Sequence, residues 1–198
     1  MAIQQEDDPL RLFAAWYDEA QHCGLKEPTA VALATADAEG RPSVRMVLLK
    51  GFDDAGFVFY TNLESRKGRQ LAENPSAALC FHWMPIERQV RVEGAVSPVS
   101  DEEADTYFAS RSKDSQLGAW ASRQSEPLGG WFELERRVAK YGMRYGIGAV
   151  PRPPFWSGFR IKPSRIEFWA AGSHRLHDRR LYTPAADGAG WQSQALYP

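Results

Sequence analysis

Cysteine is scarce in this chain: two residues, Cys23 and Cys80, in 198. They show no C-x-x-C spacing, which argues against a disulfide framework and leaves two reduced thiols, as in a cytoplasmic protein. Charge of one sign is missing too. With 24 Lys and Arg against 25 Asp and Glu the formal net charge is −1, so the basic residues must act locally, and a general nucleic-acid binder is excluded. No apolar run approaches the roughly 18–20 residues that span a bilayer. The polar, acidic start from Met1 to Asp8 argues against a secretory signal. There is no G-x-G-x-x-G after a strand, no G-x-x-x-x-G-K-[ST] and no G-x-S-x-G, which removes a Rossmann site, a P-loop and a nucleophile elbow. Any phosphate must then be held by side chains and helix ends. Histidine is sparse, and the one close pair, His174 and His177, is interleaved with Arg175 and followed by Arg179. A metal cation would be repelled there, so no metal is expected. His177 and Asp178 are adjacent and would face opposite ways on a strand, a poor start for a hydrolase triad.

What is present alternates between turn signals and β-formers. Asp8 before Pro9 predicts a helix start, with Leu10, Phe13, Ala14 and Tyr17 at helical spacing and Gly24 as the stop. This N-terminal helix, within residues 1–25, is expected to pack on the rest of a single 198-residue domain. Strands are expected over Ala30–Ala36, Val44–Leu49 and Phe57–Thr61, joined as an antiparallel meander. A short helix from Ser65 to Glu73 precedes strands at Ala77–Trp83 and Gln89–Val99. Ser100-Asp101-Glu102-Glu103 reads as a capping box, opening a helical middle that runs through Trp120 and resumes from Trp131 to Tyr145. Strands return at Phe159–Ile161, Arg165–Ala170, His177–Thr183 and Trp191–Tyr197. Roughly seven or eight short strands with few helices predict an α+β fold, mainly β: a small, partly closed barrel decorated by helices. Most of the seven tryptophans should serve the core or an interface.

Five constellations carry chemistry. If Arg175–Arg179 is extended, Arg175, His177 and Arg179 share one face, and clustering like charges is costly unless an anion sits against them. That stretch, after the aromatic run ending at Trp169, reads as the wall of a site for an anionic aromatic ligand. Arg45-Met46-Val47-Leu48-Leu49-Lys50 is an apolar strand bracketed by cations that should face opposite ways, or else simply a buried strand with charged ends. Tyr60-Thr61 ends a strand in hydroxyls, and Arg66-Lys67 then opens a helix, where cations oppose the helix dipole unless an anion is bound. Tyr107, Arg111 and Ser115 share a stripe if their helix persists and would cradle a second phosphate. Gln89, Gln124 and Ser125 suit the amide edge of a flavin or pyrimidine.

Taken in order, these segments resemble the pyridoxamine/pyridoxine 5′-phosphate oxidase family of FMN-binding split-barrel flavoproteins. The pieces that carry the resemblance include Arg45–Lys50, Phe59–Asn62, Ser65–Lys67, Arg88–Val90 and Asp114–Trp120. Gln124-Ser125, Phe155–Gly158, Glu167–Trp169 and His174–Arg179 complete them. The resemblance implies that FMN is held by Arg45, Met46, Val47, Leu48, Leu49, Lys50, Tyr60, Thr61, Arg66, Lys67, Gln89, Gln124, Ser125, Trp169 and Arg179. It implies that the phosphorylated pyridine meets Lys50, Tyr107, Arg111, Ser115, Arg175 and His177, with Arg175 and His177 acting in catalysis. It further implies a cytoplasmic homodimer with FMN sites at the interface, using O2 and releasing peroxide. Two alternatives stand beside it: a related oxidase of another reduced aromatic such as a phenazine precursor, and a non-catalytic FMN- or pyridoxal-phosphate-binding carrier. Two departures from the family pattern are visible, a short acidic stub before Pro9 and no arginine just ahead of the tail Gln194–Pro198.

Overall fold

Asp8 and Pro9 start the first helix for the reasons their chemistry suggests. In the computed structural model, which describes residues 3–188 and 190–198, the Asp8 carboxylate accepts the Leu10 N–H at 2.9 Å and caps α1 (Pro9–His22). Gly24 follows with φ +83°, the left-handed conformation in which glycine ends a helix without steric cost. The elements after it are β1 (Ala30–Ala36), β2 (Pro42–Leu48), β3 (Gly51–Asp53), β4 (Gly56–Asn62), α2 (Arg66–Glu73), β5 (Ser76–Trp83) and β6 (Arg88–Pro98). Then come α3 (Asp101–Ser110), α4 (Lys113–Ala121), α5 (Glu133–Tyr145), β7 (Trp156–Ala170), β8 (Asp178–Pro184) and β9 (Trp191–Ala195). The mainly β, α+β expectation holds. No described helix is long and apolar enough to cross a membrane.

All nine strands join one curled antiparallel sheet in the order β2-β1-β5-β6-β7-β4-β3, with β8 on β7 and β9 on β8. The expected meander is corrected here: β1–β2 and β3–β4 are hairpins, but β2 does not pair with β3. The chain instead crosses the mouth of the curl at Leu49-Lys50. Leu49 N–H donates to Thr29 O at 2.9 Å and Lys50 N–H to Val58 O at 2.8 Å, so neighbouring amides tie opposite flanks together. The two strands expected after residue 158 are a single one, β7, whose first half pairs with β4 and second half with β8. It bends opposite Gly94, where the register shifts and where an added Cβ would lie 1.9 Å from Lys162 O.

Alternation along the strands decides what the curl encloses. Val31 and Leu33, Leu79 and Phe81, Val90 and Val92, and Ile166 and Phe168 point inward and are buried. Helix α1 plugs the enclosure with Leu12, Phe13, Trp16 and Ala20. Phe13 is wholly buried and meets Phe57 and Phe81 edge to face, with ring centroids 4.9 and 5.0 Å away. The segment before α1 runs along β8: Ile3 N–H donates to Asp178 Oδ2 at 2.6 Å, and the Tyr182 hydroxyl donates to Glu6 O at 2.7 Å.

The opposite face of the sheet is paved differently. Val44, Met46 and Leu48 stand out from edge strand β2, followed by Ala30, Ala32 and Ala34 of β1 and by Ala78, Cys80 and His82 of β5. Gln89, Arg91 and Glu93 of β6 come next, then Arg165, Glu167 and Trp169 of β7 and Arg179 of β8. Val44 is 69% and Met46 63% exposed, large values for apolar residues at a sheet edge.

Candidate active site

Many polar side chains surround a cleft of about 480 Å³ where the β2–β3 crossing, the end of β4, α2 and the α3–α4 corner meet. Met46, Val47, Leu48, Lys50, Tyr60, Thr61, Lys67, Tyr107, Arg111, Ser115 and Gln124 all line it. These residues were singled out from four separate stretches of sequence. Leu49 is an exception within its run: it is 3% exposed and belongs to the core.

Local chemistry explains how each side chain arrives. Ser65 caps α2 by accepting the Gly68 N–H at 3.3 Å, which fixes the first turn. Of the two cations there, Arg66 is exposed and Lys67 is buried, so a solvated helix face describes only the first. Lys67 Nζ donates to Gln124 Oε1 at 3.0 Å and to Thr61 Oγ1 at 3.2 Å, both neutral. Burial, reinforced by the Arg45 charge, pulls the Lys67 ammonium down to about 8. Arg45 donates to Thr35 Oγ1 at 2.7 Å, Leu33 O at 3.1 Å and Ser43 Oγ at 2.5 Å, again all neutral. Burial and the nearby Arg66 depress it as well. The expectation that Arg45 and Lys50 would sit on opposite faces of one strand is corrected, because Lys50 lies beyond the end of β2, at the crossing.

The opposite wall is aromatic. Tyr60 stacks on Tyr107 at 3.9 Å and 15°, and on Trp156 at 5.4 Å and 8°. Gly158 makes this possible, since a Cβ there would sit 2.7 Å from the Tyr60 ring. Burial, with Glu103 nearby, pushes the Tyr60 phenol up to about 12, so it stays protonated. Tyr107, Arg111 and Ser115 do converge, but not as a stripe on one helix: α3 ends at Ser110 and α4 begins at Lys113. Arg111 turns back over Trp156 at 4.9 Å, and its Nη1 is buried without a hydrogen-bond partner.

Among the described residues, Arg45, Lys50, Arg66, Lys67 and Arg111 form no ion pair with a carboxylate. By contrast Arg88, Arg91, Arg152, Arg160, Arg165 and Arg179 each have one. Buried or crowded cations without counter-charge are expensive, and a phosphate would balance them. The donor set therefore fits a phosphorylated ligand, and the flat rings beside it fit an aromatic one.

The remaining candidates lie elsewhere in the subunit. Gln89 pairs across to Trp169, and Trp169 to Arg179, on the outer face of the sheet. Going from β2 to β8 takes five strand steps, roughly 24 Å along the sheet at about 4.8 Å each. The expected single extended face of Arg175, His177 and Arg179 is also corrected. Ser173–Arg175 is a 3₁₀ turn in which His174 and Arg175 have φ +55° and +63°, and β8 begins only at Asp178. Arg179 donates to Glu167 Oε1 at 2.7 Å, so an internal carboxylate, not an external anion, answers its charge. His177 Nδ1 accepts the Gly172 N–H at 3.3 Å, which leaves Nε2 as the protonated ring nitrogen. Its ring lies 4.7 Å from Trp169. Ser125 (φ +76°) accepts the Arg66 N–H at 3.2 Å. Left-handed backbone at two non-glycine candidates, Ser125 and Arg175, is strain of the kind that collects at functional sites.

Sequence reasoning gave no role to Trp156, the floor of the aromatic stack, although Phe155–Gly158 stood out as a motif. Trp156 packs with Phe108 and Leu117, residues remote in sequence, and no spacing rule reveals that.

Comparisons with known proteins bear on both regions. Residues 17–170 match the family model described as pyridoxamine 5′-phosphate oxidase. Residues 156–198 match one described as pyridoxine 5′-phosphate oxidase C-terminal dimerisation region. A pyridoxine/pyridoxamine 5′-phosphate oxidase from Rhodospirillum rubrum is 59% identical over the full length of both chains. One from Maricaulis maris is 58% identical, covering 99% of this chain and 88% of its own. Among solved structures, PhzG from Burkholderia lata in complex with tetrahydrophenazine-1-carboxylic acid aligns with TM-score 0.91 and 35% identity. That alignment covers 98% of this chain and 95% of PhzG. A pyridoxamine 5′-phosphate oxidase-related, FMN binding protein from Nostoc punctiforme shares the fold at TM-score 0.76 and 18% identity, covering 98% of this chain and all of its own.

Proposed function

The chain belongs to the pyridoxamine 5′-phosphate oxidase family, and from that premise we propose that it is an FMN-dependent oxidase forming pyridoxal 5′-phosphate. Its substrates are pyridoxamine and pyridoxine 5′-phosphates, with O2 as acceptor. The observation that carries this reading is a cleft lined by Lys50, Lys67 and Arg111, none ion-paired to a carboxylate, with stacked rings beside them. These cations, with Arg45 close to both Lys67 and Arg66, carry enough positive charge for two phosphates.

Arg45, Arg66, Lys67, Gln124 and Ser125 would hold FMN at the α2 end, with Thr61 fixing Lys67. When bound, FMN supplies the two-electron acceptor that O2 returns to its oxidised form as hydrogen peroxide. Lys50, Tyr107, Arg111 and Ser115 would bind the substrate phosphate. Orientation is the main contribution of such groups, because a held near-attack geometry replaces a costly encounter. Arg175 and His177 would close over the pyridine. With Nδ1 occupied by the Gly172 N–H, His177 offers an Nε2–H donor to an oxygen or nitrogen of the substrate.

The two half-sites then require a second copy. Val44, Met46 and Leu48 at one edge of the outer face, and Gln89, Trp169 and Arg179 toward the other, are joined by small alanines that let another sheet approach closely. A two-fold axis through that face sets the β2 edge of one protomer against the β8 edge of its partner and completes two equivalent sites. The matched dimerisation region contains Trp169, Arg175, His177 and Arg179. The phenazine-type alternative is less well supported, because the cation cluster at Arg111 and Lys50 anticipates a second phosphate. Anaerobic addition of pyridoxamine 5′-phosphate to the purified yellow protein tests the reading. Bleaching of the flavin band, reversed by air with peroxide release, is expected. A protein that binds no flavin, or one left unbleached, would refute it.

A further inference from the structure

The α3–α4 corner carries a buried group that no ligand assignment uses. Gln116, in α4, is 7% exposed, and its side chain points back at the preceding helix. Its Nε2 donates to Phe108 O at 2.9 Å, Arg111 O at 3.1 Å and Ala109 O at 3.2 Å. A helix ends with carbonyls that have no partner within the helix, and a buried end must find donors elsewhere. One amide, with two N–H groups, lies within reach of three carbonyls around the helix end here, so it shares its donors among them. Satisfied in this way, the chain leaves helical geometry at once: Arg111 has φ −73° and ψ 152°, while its own N–H closes a last turn onto Phe108 O at 3.2 Å. That departure sends the Arg111 guanidinium back across Phe108 and Trp156, at 5.7 and 4.9 Å, and leaves Nη1 buried and unpaired on a residue that lines the cleft. An unpaired buried donor held in place is costly, and an incoming phosphate oxygen would recover that cost.

We propose that Gln116 is a positioning residue for substrate recognition, acting through Arg111 by fixing the corner that aims this guanidinium at the substrate phosphate. The inference rests on the oxidase reading above. Gln116 touches no ligand in this scheme, and its influence is confined to the phosphate end of the cleft, far along the chain from Lys67 and Arg66.

The test uses the flavin-loaded enzyme carrying Gln116→Met, which keeps side-chain length and removes both donors. Three readouts are compared with the unmodified enzyme: kinetics with pyridoxamine 5′-phosphate and with unphosphorylated pyridoxamine, inhibition by inorganic phosphate, and titration with pyridoxal 5′-phosphate. The expected result is a KM for the phosphorylated amine raised about tenfold, the size of one charge-assisted hydrogen bond. Affinities for inorganic phosphate and pyridoxal 5′-phosphate should weaken in parallel. The kcat, flavin content and KM for pyridoxamine should stay within about twofold. In an Arg111→Ala background the same substitution should add nothing. Equal losses for both amines, an unchanged KM, or additivity with Arg111→Ala would overturn the proposal. Gln116→Leu, apolar and equally without donors, is read in the same way should the methionine variant be insoluble. If neither variant yields soluble flavoprotein, the residue serves folding and the proposal fails. An unmodified enzyme that neither oxidises pyridoxamine 5′-phosphate nor responds to phosphate would instead sink the oxidase reading, which keeps the two failures apart.

Discussion

Arginines in the cleft and arginines on the outer sheet face solve opposite problems. On the sheet face, Glu167 is 3% exposed and ion-paired to Arg179 at 2.7 Å and Arg91 at 3.5 Å, while Glu93 serves Arg91 and lies 4.0 Å from Arg165. Charge there is answered inside the protein by carboxylates, although Arg165 Nε and Glu167 Oε2 are buried without a hydrogen-bond partner. In the cleft Lys67, with Arg45 close behind it, leans on neutral oxygens only, and one nitrogen of Arg111 has no acceptor at all. That region is left short of negative charge. The difference teaches which cations build the protein and which await a ligand, a distinction that residue type alone does not make.

The strongest way to break this comparison is to separate the two regions. Met46→Glu puts a charge into the exposed apolar edge of β2, where a partner sheet would bury it. We expect dissociation of the dimer in sedimentation and flavin affinity lowered about a thousandfold, since half the site leaves with the partner. Flavin affinity unchanged in a monomer would show that one protomer suffices.

Removing the balancing charge on the sheet face should damage stability rather than chemistry. Glu167→Gln leaves Arg91 and Arg179 without their buried carboxylate, at a cost of about 3 kcal/mol in denaturant unfolding. A variant of full stability would mean that Arg179 has another counter-charge.

Arg175 is exposed and has no carboxylate partner among the described residues, so its loss should do the reverse. Arg175→Ala is expected to lower turnover about fiftyfold, with unfolding and yellow colour unchanged. Loss of flavin would instead move Arg175 into the cofactor set.

The smallest effect concerns pH. Lys67 falls from 10.5 to about 8 through burial and the Arg45 charge, with Arg66 beyond it. Between those values the unfolded chain holds the proton and the folded apoprotein does not, so apoprotein stability rises with pH across that window. FMN affinity runs the other way, falling several-fold above about 8 as the ammonium that would meet its phosphate is lost. Titration calorimetry in buffers of different ionisation enthalpy should detect proton uptake on FMN binding near that pH. Lys67→Arg should abolish it.

Much of this was legible from local rules. Asp8-Pro9, Ser65 and Ser100 mark helix starts because capping is a matter of neighbouring atoms, and each of the three accepts a first-turn N–H. The Glu103 carboxylate expected to close a capping box pairs with Arg160 instead. The period-2 burial of β1 and β5 follows from the pleat. The candidate cations could be picked out because like charges near apolar strands demand a reason. What could not be read was every relation set by distant partners. Glu167 reads as an ordinary surface acid until Arg91 and Arg179 close around it. His174 and Arg175 look extended until Gly172 meets the Leu176 carbonyl and forces a turn, with 1.9 Å left for any added Cβ.

By itself, then, the order of residues determined the kinds of element, the inward alternation and which side chains carry chemistry, because each depends on atoms a few bonds or one turn apart. Only the folded sheet decided which of those side chains share a cleft. It carried Lys50 across the mouth of the curl, broke the helix at Arg111, and left Trp169 four strands and Arg179 five strands from Met46. Strand order is fixed by burial summed over the whole core, and no local spacing encodes it.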